Sequence, residues 1–426
     1  MADISVEDYI DKSVEYYKKG DVENTLRELA DGMIAFPSNI TLLKARVQLF
    51  DILRNYGDAI RDLTEIIRLE PENANAYNNR GHTYNRAGEY DKALRDVNEA
   101  IRLNPGEATF YDTRGTAFEG KEDYKSAIRD YDRAIELDGS DVEFLSNRGF
   151  SYLMQDQYEE AIRDYTEAIR LKPKFLFAYF MRGRAYTRQG QYEEAIRDFN
   201  EAVRLNPIYA WVYTDRADAY YWNGQYEEAV SDYTEAIRLD PNLAETYSDR
   251  GDVYRRMDQH EEAERDYTEA LRLDPDNADA YWGRGASRYM RDQYEEALGD
   301  FNEAIRLDPN KAHAFTFRGI VYNCRGQYDT AIGDFNEAIR LDPNGAGAYS
   351  NRGESYEKLG QYEEAIRDYT ETVRLDPDYT WAYARRGETH RKLGQKDQAI
   401  QDYEKALSLD PDFDWVEEAL RKIRGE

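Results

Sequence analysis

The stretch "AYNNRGHTYNRAGEYDKALRDVNEAIRLNP", residues Ala76–Pro105, contains the pattern from which the fold of this chain of 426 residues is predicted. Apolar and small residues recur at helical spacing in two blocks, which are Tyr77, Gly81 and Tyr84, and then Ala93, Val97, Ala100 and Ile101. Such spacing predicts two amphipathic helices. Gly88 lies between the blocks and marks the turn that separates the helices.

The same pattern returns along the chain with a fixed period of 34 residues. Residues Ala348–Pro377, for example, read "AYSNRGESYEKLGQYEEAIRDYTETVRLDP". The prolines are 34 residues apart, or twice that, at Pro37, Pro71, Pro105, Pro173, Pro207, Pro241, Pro275, Pro309, Pro343, Pro377 and Pro411. Only Gly139 interrupts the series. Because one unit of this size cannot bury its own apolar face, the period predicts a solenoid of stacked units.

The pattern resembles the tetratricopeptide repeat, a helix-turn-helix unit with an aromatic residue, a small residue, Tyr, Ala, an aromatic residue, Ala and Pro at set intervals. Twelve such units begin at Val6, Ile40, Ala74 and every 34 residues on to Thr380. The resemblance implies an all-α fold, a right-handed superhelical solenoid of about twelve 34-residue repeats with a C-terminal capping helix.

One departure from the pattern recurs in eleven repeats, where an arginine replaces the usual Leu before the small residue, and others lie at the two ends. We expect a degenerate repeat at residues 1–39, where Ser13 and Thr25 replace the usual Gly and Ala, then eleven repeats in one continuous solenoid at 40–413. Residues 414–426 are expected to form the capping helix, with Asp414 as its N-cap. Between repeats, the proline is expected in the first turn of the next helix, with the preceding Asp or Asn capping that helix.

Composition restricts the partners. The 86 acidic and 57 basic residues leave a formal charge of −29, which disfavours nucleic acid and anionic membranes because both attract an excess of Lys and Arg. RNA binding by helical repeats is disfavoured for the same reason. The start "MADISVEDYI" lacks a secretory signal, and the single cysteine, Cys324, cannot form an internal disulfide. We therefore expect a cytoplasmic protein.

No motif indicates catalysis. The four histidines lie in four different repeats without a Cys or carboxylate at metal-ligand spacing, and no base is arranged beside Cys324. The glycines belong to the repeat and form no phosphate-binding loop. The sequence thus predicts a protein that is not an enzyme and has no catalytic residue, metal or cofactor.

An arginine and an aspartate recur sixteen residues apart in eleven repeats. The pairs begin with Arg46 and Asp62 and end with Arg386 and Asp402. A guanidinium drawn partly inside needs a carboxylate, because an unpaired buried charge costs several kcal/mol. A row of anion-binding arginines is the functional alternative, but a ladder identical in eleven repeats carries no specificity, so we interpret the pairs as structural.

Specificity is expected where the repeats differ. In the family that the chain resembles, the first helices line a concave groove, so their variable residues are expected to face a protein or peptide ligand. The variable positions of the seventh and eighth repeats also carry Asp218, Glu245, Asp249 and Asp252. The candidate groove residues are Phe177, Phe180, Met181, Arg184, Arg188, Trp211, Asp215, Tyr221, Trp222, Arg255, Arg256, Trp282, Tyr289 and Phe317. Trp, Tyr, Arg and Met are enriched at the centres of binding interfaces.

Three alternatives remain open at this stage. Trp211 and Trp222 could instead pack against neighbouring first helices and stabilise the superhelix. The protein could be a structural or self-associating repeat protein whose partner is another copy. Some members of the family capture the carboxylate end of a chaperone tail, but Thr316 and Ile320 replace two residues of that clamp, although Asn351 and Arg385 keep two others.

Overall fold

The computed structural model describes residues 5–425, and within this range the chain consists of 25 α-helices without a strand. Twelve first helices alternate with twelve second helices, and α25 (Asp414–Arg424) follows them. The first helices are α1 (Val6–Lys18), α3 (Ile40–Ile52), α5 (Ala74–Arg86), α7 (Ala108–Gly120), α9 (Val142–Leu153), α11 (Leu176–Arg188), α13 (Ala210–Trp222), α15 (Ala244–Arg256), α17 (Ala278–Met290), α19 (Ala312–Cys324), α21 (Ala346–Lys358) and α23 (Thr380–Lys392). The second helices are α2 (Val22–Ala35), α4 (Tyr56–Leu69), α6 (Tyr90–Leu103), α8 (Tyr124–Leu137), α10 (Tyr158–Leu171), α12 (Tyr192–Leu205), α14 (Tyr226–Leu239), α16 (His260–Leu273), α18 (Tyr294–Leu307), α20 (Tyr328–Leu341), α22 (Tyr362–Leu375) and α24 (Lys396–Leu409).

The helices begin where the period predicts. Each first helix starts at the residue expected from the 34-residue register, from Val6 to Thr380. Within each pair the two helices pack on each other along their length. The predicted all-α fold of stacked helix pairs is therefore confirmed.

The chain forms two compact units, Met1–Ile208 and Tyr209–Glu426. The first contains α1 to α12 and the second α13 to α25. In both, first and second helices supply fully buried residues, such as Ala178 and Ala93 in the first unit and Ala217 and Ala229 in the second. The predicted division into a degenerate repeat, eleven repeats and a cap stays a prediction.

The turns differ in detail from the expectation. Gly88 does separate the two helices of its repeat, with a positive φ of 75° that suits glycine. The repeat proline, however, does not enter the next helix. Pro105 lies in a short turn between Asn104, which follows α6, and Glu107, which precedes α7. The Asn104 side chain accepts a hydrogen bond from the backbone N–H of Gly106 at 3.3 Å. Asn104 therefore stabilises the turn and does not cap α7.

The capping helix α25 packs as expected, but its N-cap was predicted wrongly. Val416 and Leu420 are buried against Tyr403, with Ala419 and Ile423 alongside them, as the pattern of the last segment predicted. The N-cap residue is Phe413, because Asp414 already belongs to the first turn. A carboxylate in the first turn is favourable there through the helix dipole.

All eleven predicted arginine–aspartate pairs form. In every pair the guanidinium Nε donates to Oδ2 at 2.6–3.0 Å, and Nη2 donates to Oδ1 at 2.5–2.8 Å. In several repeats Nη1 also reaches the preceding second helix, as from Arg250 to Thr234 at 2.8 Å. Each arginine thus joins the two helices of its own repeat, which is the structural role predicted for the ladder.

Candidate functional site

The two tryptophans of α13 keep much of their surface exposed. Trp211 is 40% exposed and Trp222 is 60% exposed, although tryptophan usually loses most of its surface on folding. Trp211 stacks on Tyr209, with ring centroids 5.1 Å apart. Trp222 meets Tyr221 edge to face at the same distance, 5.1 Å. Both rings therefore offer an apolar face to another molecule.

The other candidate residues of the second unit touch one another along successive first helices. The Arg256 guanidinium lies 5.2 Å from the centre of the Tyr221 ring, and its Nε donates to the Tyr221 hydroxyl. Arg255 lies 4.9 Å from the ring of Trp282. Phe317 then contacts Trp282 and Tyr289, with centroids 5.6 Å and 6.4 Å away.

These contacts divide the candidate residues. Trp282, Tyr289 and Phe317 are half-buried and pack together with the buried core of α18 and α19. The packing alternative therefore describes these three aromatics better than it describes Trp211 and Trp222. Asp215 also is half-buried on α13.

The five candidate residues of the first unit all lie on α11 but differ in exposure. Phe177, Arg184 and Arg188 are exposed. Phe180 and Met181 are 8% and 3% exposed, and Phe180 packs on Phe199 with centroids 5.9 Å apart. Their position in the helix places these two side chains in the core, so they present little surface to a ligand.

Two pockets open between α13 and α15. These first helices approach each other less closely than α15 and α17 do. The first pocket, called here the tryptophan pocket, has a volume of about 430 Å³ and lies at the N-terminal ends of the two helices. Its lining consists of Ala210, Trp211, Thr214, Asp215, Asp240, Asn242, Leu243, Ala244, Glu245 and Thr246.

The second pocket, called here the acidic pocket, lies nearer the C-terminal end of α13 and has a volume of about 300 Å³. It is lined by Asp218, Tyr221, Trp222, Tyr233, Glu245, Asp249 and Asp252. Glu245 belongs to both pockets, so the two adjoin along the same face of the helix pair. Four of the seven lining residues are carboxylates and the other three are aromatic.

The carboxylates of the acidic pocket are held in different ways. Asp218 accepts a hydrogen bond from the Tyr233 hydroxyl at 2.5 Å. Asp252 accepts from the Tyr267 hydroxyl at 2.8 Å and from Arg255 at 3.0 Å. Among residues 5–425, no hydrogen-bond donor or cation contacts the Asp249 carboxylate. This acid is therefore available to a group that enters the pocket.

The environment of Asp249 favours its neutral form. Burial, together with the charges of Asp218, Glu245 and Asp252, raises the pKa of Asp249 from 3.8 to about 8. A cation placed in the pocket would favour the carboxylate form instead, since an opposite charge within a few ångströms stabilises it. The charged form of Asp249 is thus more stable when a cation occupies the pocket than when none is present.

Only part of this site is predictable from the sequence. Trp211, Asp215, Tyr221 and Trp222 line the pockets as candidates, whereas Asp249 and its acidic neighbours were noted only as variable positions. The signal was present in the sequence, because acids occupy variable positions on the facing sides of two consecutive first helices. Whether such acids converge depends on the distance between those helices, which a repeat pattern does not specify.

Residues 5–425 contain no group of His, Cys, Asp and Glu placed to hold a metal ion, and none of their helices is long and apolar enough to cross a bilayer.

At the end of the second unit, Arg385 and Lys392 both pair with the buried Glu357, at 2.8 Å and 2.7 Å. Arg385 is therefore engaged internally and is a poor match for a carboxylate clamp.

Comparison with known proteins agrees with the repeat architecture. Models described as tetratricopeptide repeat match residues 74–107, 108–141, 142–175, 164–197, 248–312, 346–379 and 380–413, and a model described as TPR repeat matches residues 183–224, 217–258 and 319–360. A search of curated proteins returned no match.

Among solved structures, a chain of the APC/C hetero-tetramer Cut9–Hcn1 is 15% identical, with a TM-score of 0.52 over 98% of this chain and 96% of that chain. Yeast Tom70 is 15% identical, with a TM-score of 0.43 over 99% of this chain and 95% of its own. YrrB, described as a TPR protein with an unusual peptide-binding site, is 25% identical over 44% of this chain and 96% of its own, with a TM-score of 0.38. The likeness to the Cut9–Hcn1 chain supports the fold alone.

The helix register and the matches along most of the chain lead to one assignment. The chain belongs to the tetratricopeptide repeat family.

Proposed function

We propose that this protein is a non-enzymatic binding scaffold that holds a peptide segment of a partner protein on the face of α13 and α15. The observation that carries the proposal is the pair of adjoining pockets between these helices, with the exposed Trp211 and Trp222 in their walls. Exposed tryptophans beside pockets are typical of the residues that dominate binding energy.

The division between constant and variable residues supports this role. The ion-pair ladder and the alanine-rich core recur in successive repeats, so they build the frame and offer no feature that could distinguish one ligand from another. Apart from Tyr233 of α14 and Asp240, which follows α14, the aromatic and acidic residues of the two pockets belong to α13 and α15. A repeat family whose solved relatives include a protein described as having a peptide-binding site is consistent with such a ligand.

The experiment compares partner capture by three forms of the intact protein. Immobilised wild-type protein, a Trp211→Ala/Trp222→Ala variant and a Trp381→Ala control are incubated with lysate, and retained proteins are quantified by mass spectrometry. Trp381 is a suitable control because it is 44% exposed on α23, outside both pockets. Truncating a central interface tryptophan commonly costs about 2 kcal/mol or more, so we expect the double variant to lose at least about tenfold of the specific retention.

The result also separates this role from self-association. Equal retention by the wild type and the double variant, with unchanged helical content, would contradict the proposal. Light scattering across a concentration series measures association between copies. A mass that rises with concentration, and falls to that of one chain in the double variant, would favour the self-associating alternative.

A further inference from the structure

We infer that the bound segment is an extended, basic peptide that places a Lys or Arg side chain in the acidic pocket and an apolar side chain in the tryptophan pocket. This inference rests on the proposed function and assigns the chemistry of the ligand. It follows from the charge of one pocket, the character of the other and the distance between them.

The charge balance of the acidic pocket selects a cation. Asp218, Glu245, Asp249 and Asp252 converge on a volume of about 300 Å³. Arg255 already pairs with Asp252, and Arg256 lies over the ring of Tyr221. Within residues 5–425 no cation pairs with Glu245 or Asp249, and complementary charge gives specificity at interfaces.

The aromatic walls select the same group. Trp222 and Tyr221 stand edge to face beside the carboxylates, and Tyr233 lies at the floor with its hydroxyl bound to Asp218. A Lys ammonium or an Arg guanidinium is attracted to the face of a Trp or Tyr ring as well as to a carboxylate. A long side chain of this kind also has an apolar stem that can lie along the exposed Trp222 ring.

The tryptophan pocket can hold an apolar side chain. Carboxylates also line it, but Trp211, Leu243 and the small residues Ala210 and Ala244 give it an apolar wall. Trp211 and Trp222 are eleven residues apart on one helix, which corresponds to about 16 Å along the helix axis. An extended chain covers this distance in about five residues. The basic and the apolar side chains of the ligand should thus be separated by four or five positions.

The test is a selection of random twelve-residue peptides displayed on phage against the intact wild-type protein, with Asp249→Asn and Trp211→Ala/Trp222→Ala variants as matched targets. Enriched sequences are resynthesised with a fluorescent label, and their dissociation constants are measured by anisotropy. We expect peptides with Lys or Arg four or five positions from an aromatic or Leu residue. Replacing that basic residue with Gln should weaken binding about tenfold to the wild type but less than about threefold to the Asp249→Asn variant, because the interacting pair is then already broken.

Two kinds of result would overturn the inference. Enriched peptides that are acidic or purely apolar, and that still need Trp211 and Trp222, would refute the basic ligand while leaving peptide binding intact. Peptides that bind the double tryptophan variant as well as the wild type would refute the site itself. A further experiment adds spermine at the same concentration as the peptide. If spermine displaces every peptide, and the selected peptides show no preference for an apolar residue, the pocket is assigned to a small polycation.

Discussion

The side chain of Asp249 is unfavourable for folding, and the proposed function gives it a role in binding. It lies on α15 with no cation beside it among the described residues, and it faces three other carboxylates. A polar group that is partly buried without a partner costs free energy unless another molecule supplies the missing interaction. Such a cost is expected at binding sites, where local stability is exchanged for affinity.

The stability of the protein should depend on pH through this residue. The pKa of Asp249 is raised from 3.8 to about 8 in the folded state, so the folded state retains a proton that the unfolded state releases near pH 4. The stability that this proton contributes is complete below pH 4 and is lost as the pH rises toward 8. The variant Asp249→Asn carries no charge and avoids the loss.

The measurement is thermal unfolding of wild type and Asp249→Asn followed by circular dichroism. At pH 9 the variant should be more stable by at least about 1 kcal/mol after allowance for solvent screening, and at pH 4 the two should agree. Glu227→Gln, at an exposed carboxylate of α14, controls for the loss of one negative charge. A difference that is equal at both pH values would show that Asp249 acts through packing and not through its charge.

Two glycines of one helix pair have very different surroundings. Gly319 of α19 lies against α20, and a Cβ built there would come within 2.7 Å of Cε1 of the buried Phe335 ring. Gly333 of α20, in the same repeat, is exposed, and a Cβ there would meet nothing within 4 Å. A side chain at position 319 would therefore clash, whereas a side chain at position 333 has room.

We predict opposite effects for alanine at these two positions. Gly319→Ala should destabilise the protein by about 1–3 kcal/mol, because overpacking forces Phe335 or the helices apart. Gly333→Ala should stabilise it by about 0.5–1 kcal/mol, since glycine is the weaker helix former and the site is open. Chemical denaturation of both variants checks the signs. A stabilising Gly319→Ala would mean that α19 and α20 can separate without cost.

The helices themselves were predictable from the sequence, but the pockets between them were not. Apolar periodicity and Gly88 located the helix pair because both signals are local in the chain. Burial of Phe180 could not be inferred in this way, since this variable position is buried at Phe180 but only half-buried at the equivalent Thr214. The turn at Pro105 was misplaced because proline is compatible with both a first helical turn and the turn before it.

At the scale of the whole molecule, contacts are made mainly between neighbours in sequence. Within each of the two units, each helix packs on its neighbours in sequence, and some first helices also touch the next first helix. In such an architecture stability is close to a sum of repeat and nearest-neighbour terms, so a local lesion spreads only a short way along the array. The apolar surface of the last repeat would be exposed without a further helix, and α25 covers it.

The final prediction tests this one-dimensional coupling at the capping helix. A Val416→Ala/Leu420→Ala variant removes the two buried side chains of α25 that contact Tyr403, whereas Glu418→Ala changes an exposed position on the same helix. Large-to-small changes in a core cost about 1–5 kcal/mol, so the double variant should loosen the last repeat. Hydrogen exchange read by mass spectrometry should accelerate most in α24 and α23, less in α22 and α21, and not measurably in α15 and α16, while Glu418→Ala leaves all of them unchanged. Faster exchange of equal size throughout the second unit would contradict the nearest-neighbour description and indicate that this unit unfolds as a single cooperative body.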